Sequence, residues 1–301
     1  MTPVIDRSTA IVRAARFWIR YAPIPLFKTW LWARSKWRTY DYRARTRHGN
    51  WMKGRSTDLV QGYIYYFGEW EPNLTAWLLK RLAKMHGRVF LDVGANVGYY
   101  AILAASRLAG HGEVVAVEAS PRIHGMLAEN IRLNGLTNIR TVCCAALAEP
   151  GSITLYHGSE LNLGGSTTSE GVASDKRGVV VEGRRLADIL SDDELRRARL
   201  IKIDVEGAEW SVMQGLRPVL SRLPQDTELV IEIVPGLMKV EHVALLFDLM
   251  ESEGYRAYRI DNSYEAKDYL VPGGIEPPRR LRSRPADGGD VVFSRIDADT
   301  L

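Results

Sequence analysis

Cysteine is almost missing from this sequence: the 301 residues include only Cys143 and Cys144. Neighbouring residues on a strand point to opposite faces, so these two side chains are poorly placed to form a disulfide with each other. A disulfide framework is therefore excluded, and we expect the protein to work in a reducing cytoplasm.

Long apolar stretches are also missing. No run reaches the roughly 18 uncharged apolar residues that a transmembrane helix needs. Residues 1–20 lack a continuous apolar stretch followed by small residues, which is what a cleavable secretory signal requires. We therefore expect neither a membrane-spanning protein nor a secreted one.

Acidic residues are scarce at the start of the chain. Residues 1–55 contain 13 Lys and Arg but only Asp6 and Asp41 as acids, a net charge of +11, whereas the whole chain carries +4. Five of the eight tryptophans lie in the same segment, and apolar residues recur there at helical spacing. The pattern predicts a basic, Trp-rich helical extension over residues 1–60.

A basic amphipathic extension that is rich in tryptophan suits the headgroup zone of an anionic membrane. We therefore expect residues 1–50 to make peripheral contact with the inner face of the membrane. Two alternatives stay open: the extension packs on the protein itself or on a second copy in a homo-oligomer, or it contacts nucleic acid. No base-reading motif is visible, which makes nucleic acid the weaker partner.

The rest of the chain alternates between short β-forming runs and helical patterns. The predicted strands are 88–93, 112–119, 138–147, 200–205, 228–234, 255–260 and 290–296. The predicted helices are 99–108, 121–133, 208–220 and 240–253. Because this alternation builds a parallel sheet with helices on both faces, it predicts a doubly wound α/β domain within residues 61–301. This alternation is interrupted at residues 151–185, where two β-rich runs on either side of a polar loop predict a hairpin.

A glycine-rich turn follows the first of these strands, in LDVGANVG (91–98). Gly94 and Gly98 allow close backbone approach, and the next helix begins with free N–H groups, so the turn suits a nucleotide or a cofactor carboxylate. The G-x-x-x-G spacing differs from the G-x-G-x-x-G that seats a dinucleotide pyrophosphate, which disfavours an oxidoreductase. Packing alone would also explain the two glycines.

Two acids accompany the turn. Asp92 is still on the first strand, where it would face a cationic or polar ligand group, and Glu118 lies at the carboxyl end of the second. An acid at that position accepts hydrogen bonds from ribose hydroxyls. Alone, Glu118 fits a solvated strand end equally well, but together with Asp92 and the glycines it indicates a cofactor site.

Four stretches now make the sequence recognisable: FLDVGANVGYYAILAA, VVAVEASP, LIKIDVEGAEWSVMQGL and VIEIVP. They resemble the FkbM family of S-adenosylmethionine-dependent methyltransferases, and the resemblance covers about residues 62–260. It implies a Rossmann-like, seven-stranded class I methyltransferase sheet whose last strand is antiparallel. It also implies methylation of an oxygen on a sugar, glycan or natural-product acceptor, with S-adenosylmethionine as the donor. The alternatives are an RNA methyltransferase that uses the basic extension and a non-catalytic cofactor-binding module.

The same resemblance implies where the cofactor lies. The residues expected at its methionine end are Asp92, Gly94, Asn96 and Gly98. Glu118 is expected to hold the ribose, and Ala145 and Ala146 are expected near the adenine.

The acids of DVEGAE (204–209) would lie next to the transferred methyl group. A sugar hydroxyl is a poor nucleophile and needs a general base or a metal ion. Asp204 is the first choice for the base, with Glu206 and Glu209 as candidates beside it. Alternatively, Asp204 and Glu232 hold Mg²⁺ or another divalent cation, since hard cations prefer carboxylate oxygens. Glu206 and Glu209 are also explained as favourable acids in the first turn of a helix.

Weaker candidates complete the set, and each has an ordinary structural explanation as well. They are His157 and His242 as bases, Asn162, Ser166 and Thr167 as partners of sugar hydroxyls, and Tyr63, Tyr65 and Trp70 as an aromatic wall.

Overall fold

The computed structural model describes residues 41–159, 162–168, 177–262, 264, 269, 275–285 and 287–301. Its strands are β1 (Asp41–Arg45), β2 (Trp51–Arg55), β3 (Arg88–Val93), β4 (Gly112–Val117), β5 (Ile139–Val142), β6 (Ala145–Ala146), β7 (Gly151–Tyr156), β8 (Gly178–Arg184), β9 (Ala198–Ile203), β10 (Glu228–Ile233), β11 (Arg256–Ile260), β12 (Arg279–Arg280) and β13 (Gly289–Ser294). Its helices are α1 (Leu59–Phe67), α2 (Pro72–Leu82), α3 (Tyr99–Arg107), α4 (Pro121–Leu133), α5 (Leu186–Ile189), α6 (Asp192–Arg197), α7 (Glu209–Leu216) and α8 (Val240–Ser252), with a 3₁₀ turn over Arg217–Arg222.

The main sheet has the order β12-β11-β13-β10-β9-β3-β4-β5. Strands β3, β4, β5, β9 and β10 run parallel, and β13 is antiparallel to both of its neighbours, β10 and β11. The predicted doubly wound sheet with an antiparallel last strand is therefore confirmed. Its strand count exceeds the predicted seven by one, because the two-residue β12 joins the outer edge beside β11.

Helices cover both faces of this sheet, as the apolar strands require. In β3, Leu91 packs into one core cluster and Phe90 into the other, since successive side chains of a strand point to opposite faces. Helices α5, α7 and α8 cover the first face, and α2, α3 and α4 cover the second. Burial on both faces explains why the parallel strands are nearly continuous apolar runs.

The predicted third strand, 138–147, is divided between two sheets. Its first part, β5, pairs with β4 at the edge of the main sheet, whereas β6 pairs with β8 in a second sheet of order β6-β8-β7. The predicted hairpin is confirmed, since β7 and β8 pair antiparallel over six residues each. The break at Cys143 and Cys144 lets the chain leave the main sheet and brings the second sheet next to the ends of β3 and β4.

The predicted helical extension is wrong for its final part, because residues 41–55 form the hairpin β1–β2. Asn130 of α4 and Asn134, the residue that caps the end of this helix, act as an extra pairing edge for it. The Trp51 N–H donates to Asn134 Oδ1 at 2.8 Å, and the Lys53 N–H donates to Asn130 Oδ1 at 2.8 Å. Met52, between them, is 1% exposed. The hairpin is thus part of the folded domain, and residues 1–40 of the basic extension lie outside the described residues.

Candidate functional site

A cavity of about 360 Å³ lies at the carboxyl ends of β3, β4, β9 and β10. Parallel strands bring their carboxyl ends to one edge of the sheet, so the residues that follow them meet there. Six acids contribute to the cavity wall: Glu71, Asp92, Glu118, Asp204, Glu206 and Glu232. Lys202 is the one basic side chain in this wall among the described residues.

The glycine-rich turn after β3 has a packing reason for each glycine. Gly94 has φ +82° and Gly98 has φ +94°, a region that residues with a Cβ rarely adopt. A Cβ on Gly98 would stand 2.5 Å from Leu127 Cδ1, and Gly98 lies behind the turn rather than in the cavity wall. Gly94 and Asn96 do line the cavity. Both explanations that the sequence offers therefore apply to this turn: its glycines allow close packing, and part of the turn is accessible to a ligand.

Asp92 presents an unsatisfied carboxylate to the cavity. The residue is 1% exposed, and neither of its oxygens makes a hydrogen bond of normal geometry among the described residues, although the Ala101 backbone N–H is close enough to lower its pKa. Burial raises the pKa of Asp92 to about 6, although the nearby Lys202 ammonium opposes that rise. A buried polar group without a partner is costly, so this carboxylate is suited to a ligand that donates hydrogen bonds or carries positive charge.

Glu118 is held by the backbone of two turns. Its Oε2 accepts from the Asn96 N–H at 2.9 Å, and its Oε1 accepts from the Ser120 N–H at 2.8 Å. Burial raises the pKa of Glu118 to about 7, and these two hydrogen bonds counteract part of the effect. Each carboxylate oxygen has a second lone pair, so Glu118 keeps acceptor capacity for a ligand hydroxyl.

The cavity becomes apolar beside Glu118. Its wall there consists of Ala145 and Ala146 of β6, together with Leu147 and Leu155. This wall exists because the chain leaves the main sheet after β5 and adds the β6-β8-β7 sheet at the edge. An apolar surface next to a hydroxyl-accepting carboxylate suits a nucleoside.

Asp204 and Glu232 form a carboxyl pair beside Lys202. Lys202 Nζ lies 2.7 Å from Asp204 Oδ2, and it also stands 5.0 Å from the centre of the Tyr100 ring. Burial acts to raise the pKa of Asp204, but Lys202 and a hydrogen bond with Glu232 outweigh it, so the pKa lies below its ordinary value. The charge of Asp204, followed by burial, holds the pKa of Glu232 well above its ordinary value. The pair therefore favours a single shared proton, which resides on Glu232 rather than on Asp204.

The turn after β9 separates the roles of the two following acids. Glu206 lines the cavity with φ +53°, and burial followed by the charge of Asp204 raises its pKa to about 7. Glu209 is 1% exposed and lies outside the cavity wall. Its Oε1 accepts from the N–H groups of Val205 and Gly207, each at 3.1 Å. Glu209, at the start of α7, thus stabilises the loop between β9 and α7 through hydrogen bonds to its backbone.

Two residues of the site are not identified by the sequence motifs. Lys202 is visible only as a polar residue inside the apolar strand LIKIDV. Glu71 reaches the cavity from outside the sheet and accepts hydrogen bonds from the hydroxyls of Tyr100 at 2.6 Å and Tyr264 at 2.9 Å. Its φ of +43° is unusual for a residue with a side chain. Sequence spacing carries no signal for Glu71, because only the fold brings it to Lys202.

The positive φ values are themselves informative. In the described part of the chain, the non-glycine residues with positive φ are Glu71, Asn96 and Glu206. All three line this cavity. Backbone strain of this kind persists only where the surrounding structure holds it in place. It is found most often at ligand sites.

The predicted aromatic wall is formed in part. Tyr63 and Trp70 line the cavity, with their ring centres 5.4 Å apart in an edge-to-face arrangement. Tyr65 instead packs in the core against Tyr42, at 4.6 Å between ring centres.

The described part of the polar loop after β7 contributes to the cavity wall. Asn162 and Ser166 contribute to the wall, and the Thr167 hydroxyl donates to the Glu206 carbonyl oxygen at 3.1 Å. His157 and His242 do not contribute to the wall.

A metal site was expected at Asp204 and Glu232. Among the described residues, no three His, Cys, Asp or Glu side chains are grouped so that they could hold a metal ion. The two carboxyls bond each other, and the cation that the fold supplies beside them is the Lys202 ammonium.

The strand order and the antiparallel β13, with a cavity at the carboxyl ends, define the class I methyltransferase fold. The model of the methyltransferase FkbM domain matches residues 92–257, which is more than half of the chain. The chain belongs to the FkbM methyltransferase domain family.

Two curated relatives are methyltransferases of fungi. The chain is 28% identical over 156 residues to methyltransferase sdnD of Sordaria araneosa, covering 42% of this chain and 59% of that protein. It is 29% identical over 143 residues to methyltransferase 1 of Beauveria bassiana, covering 42% and 57%. The matches therefore span less than two thirds of either relative.

Among solved structures, methyltransferase FkbM from Methylobacillus flagellatus has a TM-score of 0.43 and 14% identity, covering 79% of this chain and 53% of that chain. A methyltransferase from Streptococcus mutans in complex with SAH has a TM-score of 0.41 and 8% identity, covering 76% and 99%. In the part of the chain that the structure describes, no helix is both long enough and apolar enough to cross a bilayer.

Proposed function

We propose that this protein is an S-adenosylmethionine-dependent methyltransferase that methylates a hydroxyl oxygen of a sugar, glycan or natural product. The observation that carries the proposal is the convergence, in one cavity, of an unsatisfied Asp92, a hydroxyl-accepting Glu118 and the carboxyl pair of Asp204 and Glu232. Membership of the FkbM methyltransferase domain family supports it.

The residues present fit S-adenosylmethionine. The unsatisfied carboxylate of Asp92 suits the ammonium group of its methionine part, which would supply the missing hydrogen-bond donors. Glu118 suits the ribose hydroxyls, and the apolar surface of Ala145 and Ala146 suits the adenine. When bound, this molecule supplies a methyl group on a cationic sulfur, which is a strong electrophile.

Asp204 is the residue that we assign to proton removal. Lys202, at 2.7 Å, keeps its carboxylate ionised, and Glu232 carries the proton that the pair shares. A base with a low pKa is sufficient, because a hydroxyl oxygen becomes strongly acidic as it gains a methyl group. The hydroxyl proton would pass to Asp204 as the carbon–oxygen bond forms and the carbon–sulfur bond of the donor breaks.

Another part of the cavity wall suits a ring with several hydroxyl groups. Tyr63 and Trp70 offer apolar ring surface, and Asn162 and Ser166 offer hydrogen-bonding groups. Such a combination binds the two kinds of surface that a sugar presents, its C–H face and its hydroxyl edge. Alignment of this hydroxyl with the methyl group supplies much of the rate in a displacement reaction.

The proposal is tested by ligand binding and by product formation. We expect S-adenosylmethionine and S-adenosylhomocysteine to raise the melting temperature and NAD to leave it unchanged, because only a ligand that binds the folded state stabilises it. Asp92→Ala and Glu118→Ala are expected to reduce the increase. Incubation with sugars and with polyketide-type alcohols should release S-adenosylhomocysteine from at least one class. Absence of any thermal shift at millimolar ligand would refute the cofactor, and with it the proposed function.

We also propose that the basic segment preceding β1 brings the protein to an anionic membrane surface. The support is its composition: residues 1–40 contain eight Lys and Arg, one acid and four tryptophans. Basic residues are drawn to anionic headgroups, and tryptophan rings suit the interface. Homo-oligomerisation through the same segment is the competing proposal.

A further inference from the structure

Tyr264 lines the cavity on the side away from Glu118. It follows β11, whereas Glu118 follows β4, and the strand order β11-β13-β10-β9-β3-β4 places these two strands on opposite sides of β9. Because β13 is antiparallel to both β10 and β11, the latter two end at the same edge of the sheet. In strand order, Asp204 after β9 therefore lies between Glu118 and Tyr264. With the nucleoside assigned to the side of Glu118, the side of Tyr264 is left for the acceptor.

A row of three aromatic rings forms this side of the cavity. The Tyr264 ring centre lies 5.5 Å from that of Trp70, which lies 5.4 Å from that of Tyr63. Tyr63 is 1% exposed, whereas Tyr264 is 41% exposed. Of the large apolar side chains that are exposed in the described part of the chain, Tyr264 alone lines the cavity. Its ring is thus the part of the row that a ligand with an apolar face can cover.

Hydrogen bonds hold Tyr264 at both ends. Its hydroxyl donates to Glu71 Oε1 at 2.9 Å, and its carbonyl oxygen accepts from the Tyr63 hydroxyl at 2.8 Å. The other oxygen of Glu71 accepts from the Tyr100 hydroxyl at 2.6 Å, which connects the same carboxyl to α3. These contacts do not require a charge on Glu71, because a protonated carboxyl donates through one oxygen and accepts through the other. The ring is therefore exposed and at the same time fixed in orientation.

The residues just before Tyr264 are fixed to the start of α2. The Asn73 side-chain amide donates to the Asp261 carbonyl oxygen at 2.6 Å. The Leu74 N–H donates to Asn262 Oδ1 at 3.2 Å. Contacts with a distant part of the chain, rather than local turn geometry, thus place Tyr264 in the cavity wall.

Resting on the proposed function, we infer that the acceptor unit is a pyranose ring that stacks on Tyr264, and that Glu71 is the positioning residue that fixes the angle of this ring. A pyranose presents a flat C–H face, which an aromatic ring covers well, and hydroxyl groups at its edge. Asn162 and Ser166 in the same cavity wall offer partners for those hydroxyls. Stacking fixes the plane of the sugar, so that one hydroxyl can be directed at Asp204.

The test compares acceptors that differ in the ring alone. S-adenosylhomocysteine release by the full-length protein is measured with the methyl pyranosides of glucose, galactose and mannose and with glucitol, galactitol and mannitol. The alditols carry similar hydroxyl groups on an open chain. We expect kcat/KM for at least one pyranoside to exceed that for its alditol about tenfold or more, because only the ring offers a preformed face. Calorimetric titration of the same glycosides in the presence of S-adenosylhomocysteine gives a measure of binding that is independent of turnover.

Variants of Tyr264 separate stacking from positioning. Tyr264→Ala should raise the KM of the pyranoside about tenfold and remove the preference over the alditol, since the aromatic contact is lost. Tyr264→Phe keeps the ring but loses the bond to Glu71. It should change KM less than about threefold and lower kcat about tenfold, because the sugar is held but poorly aligned. The control is Ile296→Ala, which shortens an apolar side chain that is 48% exposed and lies outside the cavity wall, and it should change neither constant.

Variants of Glu71 test the positioning role itself. Glu71→Ala should lower kcat about as much as Tyr264→Phe, because both remove the same hydrogen bond. Glu71→Gln should restore kcat to within about threefold of wild type, because an amide can accept through its oxygen and donate through its nitrogen. The thermal shift produced by S-adenosylhomocysteine reports that each variant is folded.

The outcomes are distinguishable. If neither S-adenosylmethionine nor S-adenosylhomocysteine binds, the proposed function fails. If they bind but no pyranoside is a better acceptor than its alditol, or if Tyr264→Ala keeps the wild-type KM, the cofactor assignment stands and the role of Tyr264 is wrong. If Glu71→Ala keeps the wild-type kcat, the positioning role of Glu71 is wrong.

Discussion

The backbone carbonyl oxygen of Asp204 lies 1.7 Å from the point at which a Cβ atom on residue 94 would stand. Only glycine fits there, and the Asp204 N–H donates to the Val93 carbonyl at 3.0 Å just beside it. The two most distinctive segments of the sequence, DVGANVG and DVEGAE, are therefore in direct backbone contact. The position of the proposed base depends on the absence of a side chain in the other segment.

We expect Gly94→Ala to lower the free energy of unfolding by more than about 3 kcal/mol, because the methyl group would overlap a backbone atom that cannot move aside. Gly110→Ala is the control, since Gly110 has φ +81°, nearly the φ +82° of Gly94, but nothing lies within 4 Å of its added Cβ. The control should cost only the roughly 1 kcal/mol of left-handed backbone. Urea denaturation of both variants measures the difference, and equal losses would show that backbone conformation alone requires Gly94.

We expect Asp204→Asn to keep the thermal shift produced by S-adenosylmethionine and to lose about 10²-fold or more in turnover, because the amide cannot accept the hydroxyl proton. Asp192→Asn, on a side chain that is 70% exposed, is the control and should keep full turnover. The two sequence-based roles of Asp204 are separated by EDTA: loss of activity that magnesium or manganese restores would favour a metal ion at Asp204 and Glu232 over Lys202 as the neighbouring cation. Unchanged turnover in Asp204→Asn would refute both roles.

The stability of the ligand-free protein should fall as the pH rises from about 5 to 7. Burial raises the pKa of Glu118 from 4.5 to about 7 and that of Asp92 from 3.8 to about 6. Between those values the folded state binds more protons than the unfolded chain, so a rise in pH favours unfolding, and the effect ends above the folded-state pKa values. Glu118→Gln should remove up to roughly 3 kcal/mol of this decline. Urea denaturation at a series of pH values measures it, and an identical slope in wild type and Glu118→Gln would contradict the cause.

The membrane proposal is tested by flotation of the full chain and of a chain that begins at Asp41. The cut belongs there because Met52 is buried and the Trp51 backbone is bonded to Asn134 at the end of α4, so a longer deletion would disturb the domain. We expect the full chain to float with anionic liposomes, less so in high salt, and the shortened chain to stay in solution. If both stay in solution and only the full chain forms a dimer by light scattering, the segment is an oligomer contact.

The sheet could be predicted because its strands are apolar on both faces and its turns carry strong local signals. The hairpin β1–β2 was missed although Tyr42, Ala44 and Met52 alternate with exposed or half-buried neighbours. The basic residues of this region continue the basic, Trp-rich composition of the segment before it, which favoured one continuous helical extension. The side chains that hold β2 from outside the hairpin, Asn130 and Asn134, are far away in sequence.

The site was predictable to the extent that it lies at strand ends. Asp92 is the last residue but one of β3, and Glu118 and Asp204 each follow a parallel strand; the topology alone brings such positions together. Glu71 could not be predicted in this way, because it enters from the segment before α2. Lys202 is within the strand, two residues before Asp204, and its pairing becomes visible only when burial is known.

The left-handed backbone of Glu71, Asn96 and Glu206 has a practical consequence for anyone who wishes to make the protein more robust. Glycine at Asn96 or Glu206 would relieve local strain and should increase heat resistance. Each such replacement would also delete a side chain that faces the cavity. Directed evolution that selects for heat resistance alone would therefore gain stability at these positions by removing side chains from the cavity wall. Selection must also measure ligand binding or turnover.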